Sequence, residues 1–134
     1  MTQGPDEPRQ ILLVEDNMLN EMVAVGMLRL FGRTADVALN GVEAVEAMTR
    51  HPYDIVLMDV QMPIMDGLEA TRRIRAELPT ERQPYIIALT ANAMADDEAR
   101  CLEAGMNAYL SKPLSKERLG SALASADAHL ESRS

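Results

Sequence analysis

The chain has 134 residues, 47% of them hydrophobic, which is one domain's worth of material with enough apolar content for an ordinary core. A formal net charge of −8 argues against a nucleic-acid surface, which needs clustered positive charge to displace counterions. One cysteine, no apolar run near the ~18 residues of a membrane helix and a polar, acidic N-terminus (MTQGPDEPRQ) argue against an internal disulfide, a membrane contact and a signal peptide, so the expected location is cytoplasmic.

Aromatic residues are few, one Phe and three Tyr, so the core must come from aliphatics, with most of the 10 methionines filling gaps. Residues 1–8 read as a flexible leader, 9–131 as the folded domain and 132–134 as a tail. Ile11 to Val14 is a short apolar run of the kind covered on both faces in a parallel sheet, and it stops abruptly at Glu15-Asp16. Asn17 caps a helix running to about Phe31, with Leu19, Met22, Val23, Gly26, Met27 and Leu30 as its expected apolar face and Gly32 as its stop. Thr34 to Leu39 reads as a less apolar strand nearer a sheet edge. Asn40 and Glu43 form a capping box for a helix from Gly41 to about Arg50.

The stretch from Tyr53 is a third strand. Ile55, Val56, Leu57 and Met58 run without interruption to Asp59, followed by a loop with Pro63 and the turn pair Asp66-Gly67. Leu68, Thr71, Ile74 and Leu78 line the next helix, while Arg72, Arg73 and Arg75 fall on its other faces. Those arginines read as a solvated face, with a docking patch as the alternative. Tyr85 to Leu89 is a fourth strand finishing at Thr90, and Met94 to about Ala104 a helix stopped by Gly105. Cys101 on that helix reads as a small buried residue without redox use. Tyr109-Leu110 lies in a short fifth strand ending at Lys112-Pro113. Ser115 then caps the last helix, buried along Leu119, Ala122, Leu123, Ala126 and Leu130.

Five alternations of strand and helix predict an α/β fold: a doubly wound five-stranded parallel sheet, flavodoxin-like, strand order 2-1-3-4-5, with helices on both faces. Four strands end in functional groups, Glu15-Asp16, Asp59, Thr90 and Lys112, and a parallel sheet brings these ends to one edge. Three carboxylates together call for a cation. Their all-oxygen set suits a hard ion such as Mg²⁺, with Mn²⁺ as a substitute; His51 and His129 lie away from these ends, and nothing there favours zinc.

In wording the chain resembles the response-regulator receiver family over about Arg9 to Leu130. The matching segments are LVEDN, LMDVQMPIMDG, ALTANAM and YLSKPL. The resemblance implies that Asp59 is the phosphoacceptor. It also implies that Asp16, Asp59 and the backbone carbonyl of Gln61 bind Mg²⁺, with Glu15 acting through a metal-bound water. A carboxylate attacking phosphorus needs the negative charge of the transferring group neutralised, a task for Mg²⁺ on one side and Lys112 on the other. Thr90 and the Ala91 N–H are the expected contacts to phosphoryl oxygens. The Lys112–Pro113 bond is expected to be cis. Thr90 and Tyr109 are the expected switch pair, altering the face of the fourth helix, fifth strand and fifth helix. Gln61 and Asn92 occupy positions that tune the acyl-phosphate lifetime.

MDVQMPIMDGLEATRRIR and TANAM look most like receivers of hybrid sensor histidine kinases. The implied donor is a phosphohistidine on a histidine kinase or histidine phosphotransfer domain. The chain itself is expected to be a self-modifying acceptor rather than an enzyme, monomeric, with dimerisation on phosphorylation as a variant. Two other readings stand beside this one. An aspartyl-phosphate phosphohydrolase wants an acid two residues after its nucleophile, where this chain has the amide Gln61. A receiver-fold binding module that is never phosphorylated needs none of the acid, threonine and lysine set.

Overall fold

The computed structural model describes residues 9–91 and 95–132, with the side chains of Ala95 and Asp96 excepted. The expected leader, the helix start expected at Met94, and Asn92 lie outside the described residues. Five parallel strands, β1 (Ile11–Val14), β2 (Asp36–Ala38), β3 (Ile55–Asp59), β4 (Tyr85–Thr90) and β5 (Ala108–Ser111), lie in the order β2-β1-β3-β4-β5. The helices between them are α1 (Met18–Leu30), α2 (Gly41–Arg50), α3 (Gly67–Glu77) and α4 (Ala95–Ala104), and α5 (Lys116–Ser132) follows the last strand. This is the doubly wound architecture expected from the alternation of elements.

The apolar runs are buried on both sides because alternate residues feed two cores. Ile11, Leu13, Ile55, Leu57, Ile87 and Leu89 pack with residues of α1 and α5. Leu12, Val14, Val56, Met58, Ile86 and Ala88 pack with α2, α3 and α4. Register sets Val14 beside Met58, Asp59 beside Leu89, and Thr90 beside Ser111, so the strands' carboxyl ends finish close to level.

Local chemistry starts the helices. The side chains of Asn17, Asn40 and Asp66 accept the N–H groups of Asn20, Glu43 and Glu69. Glu43 also accepts the Leu39 N–H at 3.0 Å, so the α2 capping box reaches back one residue before the cap. Ser115 accepts the Arg118 N–H at 3.1 Å at the head of α5. Among the described residues no helix is long and apolar enough to cross a membrane.

Three expectations need correction. β2 keeps only three residues, because an edge strand with one partner has pairing along β1 alone. α1 buries Ala24 and Leu28, with Val25 and Met27 half-buried, rather than the stripe through Leu19, Met22, Val23 and Leu30. Met18, Leu19 and Met22 are 75%, 68% and 64% exposed, so Met22, expected on the buried face, lies outside the core. Arg75, grouped above with the solvated arginines, turns inward at the end of α3, whereas Arg72 and Arg73 are exposed. Cys101 is buried, and burial first of all holds its thiol above the usual range, which leaves it inert.

Candidate functional site

The carboxyl ends of β1 and β3 place Glu15 and Asp59 side by side, 1% and 4% exposed, while Asp16 is exposed at the rim. Carboxylate oxygens of Glu15, Asp16 and Asp59 lie within 4.8 Å of one another. The chain leaving β5 carries Lys112 into this cluster. Its Nζ lies 3.1 Å from Glu15 Oε2 and 3.1 Å from Asp59 Oδ2. Residues 97 positions apart thus meet because both sit at the ends of parallel strands.

Backbone groups fix the carboxylates. The Gln61 N–H donates to Asp59 Oδ1 at 3.2 Å, and the Asn17 N–H donates to Glu15 Oε1 at 3.2 Å. The start of α3 is pressed against the strand end. A Cβ at Gly67 would lie 2.2 Å from the Asp59 carbonyl oxygen, so only glycine fits there. The Gly67 N–H donates to the Val60 carbonyl at 3.0 Å, and the Gly41 N–H donates to Met65 at 3.1 Å, closing the β3–α3 loop on α2. Asp66-Gly67 was legible as a turn; the close approach behind Asp59 was not.

One cation faces two buried acids, and the protonation equilibria carry that imbalance. Burial first, then the hydrogen bond with Glu15, pushes the Asp59 carboxyl up to about 6, against the pull of Lys112. Burial pushes Glu15 upward as well, but its bonds to Asp59, Lys112 and the Asn17 N–H hold it below its ordinary value. Burial pulls Lys112 down, and Glu15 and Asp59 more than compensate, leaving the ammonium firmly charged. A pair of carboxylates that retains a proton this readily carries more negative charge than its lysine balances. The donors are all hard oxygens, so the set fits a divalent ion of the Mg²⁺ type.

Thr90 ends β4 buried at the same edge, and its carbonyl accepts the Lys112 N–H at 2.7 Å. Ala91 is exposed beside it. The Gln61 side chain is exposed and lines, with Met62, Thr90 and Arg100, an open cavity of about 310 Å³ between the β3–α3 loop and α4. Tyr109 is half-buried on β5, away from the acids, and lines a second groove of about 320 Å³ with Leu102 and Asn107. The Lys112–Pro113 peptide bond is cis.

Residues 11–124 match the family described as the response regulator receiver domain. The chain belongs to that family. The receiver is 42% identical over 136 residues to "Histidine kinase 5" of Arabidopsis thaliana, a match covering 82% of this chain and 15% of that protein. The chain therefore spans a small part of such a relative. Among solved structures it is similar, at 45% identity and a TM-score of 0.78, to the receiver domain of sensor histidine kinase PA1611 from Pseudomonas aeruginosa PAO1. That match covers 87% of this chain and 95% of the other, and that structure holds a magnesium ion coordinated in its active-site cleft. A co-crystal of the Saccharomyces cerevisiae histidine phosphotransfer protein Ypd1 with the receiver domain of Ssk1 matches at 30% identity and a TM-score of 0.76, covering 84% of each chain. Receivers of this family are not themselves a catalytic enzyme family, and those of hybrid histidine kinases are among this chain's relatives.

Proposed function

We propose that this receiver accepts a phosphoryl group from a phosphohistidine onto Asp59 and passes the change to the face formed by α4, β5 and α5. The convergence of Glu15, Asp16, Asp59 and Lys112 at one sheet edge carries this reading. An Asp59 oxygen attacks phosphorus while the P–N bond of the donor histidine breaks. The imidazole nitrogen keeps the bonding electron pair and ends protonated, and Asp59 becomes an acyl phosphate. Asp16, Asp59 and the Gln61 carbonyl would hold Mg²⁺ (or Mn²⁺), with Glu15 acting through a metal-bound water. When bound, the ion neutralises charge on the transferring group. Lys112 shifts from its two carboxylates toward the phosphoryl oxygens, and Thr90 Oγ1 and the Ala91 N–H donate to them. Tyr109 then turns inward as Thr90 moves, while Gln61 and Asn92 set the lifetime of the product.

The donor is a histidine kinase or histidine phosphotransfer domain, met in the cytoplasm by a monomeric receiver. To bring a histidine to Asp59, it must cover the rim of the site. The apolar N-terminal half of α1, Met18, Leu19 and Met22, starts two residues beyond Asp16 and offers the surface for it. The supporting observation is the unburied apolar stripe that α1 leaves beside the acids.

The test is intact mass after incubation with acetyl phosphate, with and without Mg²⁺, beside Asp59→Asn. A Mg²⁺-dependent phosphoryl adduct absent from the variant is expected. An adduct that persists in Asp59→Asn overturns the site assignment. Absence of both adduct and Mg²⁺ binding favours a module that binds without being phosphorylated.

A further inference from the structure

The guanidinium of Arg75 makes a cross-link that the sequence did not foreshadow. Nε donates to the Gly105 carbonyl at 2.8 Å, one terminal nitrogen to Gln83 Oε1 and the Pro84 carbonyl, each at 2.8 Å, and the other to Asn107 Oδ1 at 2.7 Å. These acceptors stand on the turn that ends α4, the approach to β4 and the approach to β5. Each is itself held. The Gln83 amide donates to the carbonyls of Ile74 and Leu78, closing the last turn of α3. Asn107 Oδ1 also accepts the Ile86 N–H at 2.8 Å, and its own N–H donates back to Ile86 at 2.8 Å, continuing the ladder between β4 and β5. Gly105 has φ +109°, and a Cβ there would lie 2.9 Å from Arg75 Cγ, so glycine is required both for the turn and for the arginine's stem.

Charge adds to the geometry. α4 has no basic residue in its last turn, so its own sequence leaves the negative end of the helix dipole uncompensated. Arg75 supplies that charge from α3. Along its middle, in contrast, α4 is flanked by two open grooves, of about 310 Å³ and 320 Å³, both bordered by Cys101. The helix is therefore held by side-chain hydrogen bonds at its C-terminal end and has open grooves beside its centre.

We propose that Arg75 is the pivot of α4. It pins the helix at Gly105, so a change arising at Thr90, beyond the opposite end, tilts α4 about that point instead of displacing α4 and β5 together. The pinning stands on this geometry alone, and its use in switching rests on the phosphoacceptor reading above. Arg75 is a positioning residue, far from Asp59 at the other edge of the sheet. Lysine would supply the charge without the fork, and so should pin only in part.

Amide exchange followed by mass spectrometry on the whole chain tests this, with Arg75→Gln, Arg75→Lys and, as control, Arg82→Gln, which removes a different arginine–carbonyl bond, to Met48 at 2.8 Å. Each protein is measured free and after acetyl phosphate with Mg²⁺, with intact mass giving the occupancy. In the free protein, Arg75→Gln should speed exchange across 101–107 about tenfold or more while β1 and β3 are unchanged, with Arg75→Lys between. On phosphorylation the wild type should change at 95–100 but not at 101–107, and Arg75→Gln should lose that separation. Uniform acceleration in Arg75→Gln, matching Arg82→Gln, overturns the pinning; a wild-type change at 101–107 as large as at 95–100 overturns the pivot. If no protein takes up a phosphoryl group and none binds Mg²⁺, the phosphoacceptor reading fails, and the free-protein comparison still decides whether α4 is pinned.

Discussion

The two edges of the sheet use the same side chains to opposite ends. At the amino edge charges are matched: Arg33 forks onto both oxygens of Asp127, Arg9 stands 3.7 Å from the same carboxylate, and the Tyr53 hydroxyl donates to Asp36 at 2.6 Å. At the carboxyl edge three acids crowd within 4.8 Å of one another around a single lysine. The first arrangement tethers strand starts and helix ends and asks for nothing more. The second is left with surplus negative charge in a buried place, which costs stability and creates a demand for a cation. The contrast teaches that acids alone do not mark a site. Acids left short of partners do.

The largest effect should come from removing the proposed acceptor. Asp59→Asn is expected to abolish the phosphoryl adduct completely, whereas Asp127→Asn at the matched edge should leave labelling intact, as read by intact mass. Next in size is the proposed donor surface. Met22→Glu places a charge on the exposed α1 stripe and should slow transfer from a phosphohistidine protein by about tenfold or more, a loss of over ~1.4 kcal/mol of interaction. Labelling by acetyl phosphate, which needs no docking, should be unchanged. Equal losses with both donors would show that the substitution damages the site rather than the docking.

Much of this contrast was legible in the sequence, for a definite reason. Apolar runs that stop at an acid, a threonine or a lysine identify strand ends, and parallel order then brings Glu15, Asp59, Thr90 and Lys112 to one edge without further information. The face of α1 was not legible, because the helix is apolar nearly all round. Leu19, Met22, Val23 and Leu30 fit helical spacing as well as Ala24, Val25, Met27 and Leu28, so spacing alone does not choose between the two stripes. Arg75 was illegible for another reason. Its acceptors include the carbonyls of Gly105 and Pro84, and backbone acceptors leave no mark in a sequence. The closeness of Gly67 to Asp59 was hidden similarly, since the Asp-Gly pair reads only as a turn.

A third test measures the surplus charge directly. The Asp59 carboxyl is raised from its ordinary value to about 6, chiefly by burial and by Glu15, with Asp16 also facing it and Lys112 opposing. A raised carboxyl means that the folded protein binds the proton more tightly than the unfolded chain does. Its contribution is therefore fully present below the ordinary carboxylate pKa and is lost as pH rises through about 6. In chelator, the wild type should lose stability over that interval relative to Asp59→Asn. By pH 7.5 the variant should be the more stable by on the order of 1–3 kcal/mol, Glu15 offsetting part of the full shift. Mg²⁺ should narrow the gap by stabilising the wild type. Denaturant melts of the two proteins at pH 5 and 7.5 check this, and parallel curves would show that the acids are already balanced.

The smallest effect lies at the matched edge. Tyr53→Phe removes the donor to Asp36 and should cost about 1 kcal/mol, toward the lower end for a hydrogen bond to a carboxylate because Asp36 is exposed and water can replace the hydroxyl. Its pH dependence separates this loss from a packing defect. Burial, and then the Asp36 carboxylate, push the Tyr53 hydroxyl up to about 12. The folded state thus holds that proton more tightly than the unfolded chain, and the stability it confers is intact below pH ~10 and drains away as pH rises toward 12. Phenylalanine has no proton to lose, so the gap between wild type and variant should be constant from pH 7 to 9 and close above 10. A gap that persisted undiminished at pH 11 would mean that the loss is a packing defect in the variant, and that the hydroxyl on Asp36 does not tether β3 to β2 at this edge.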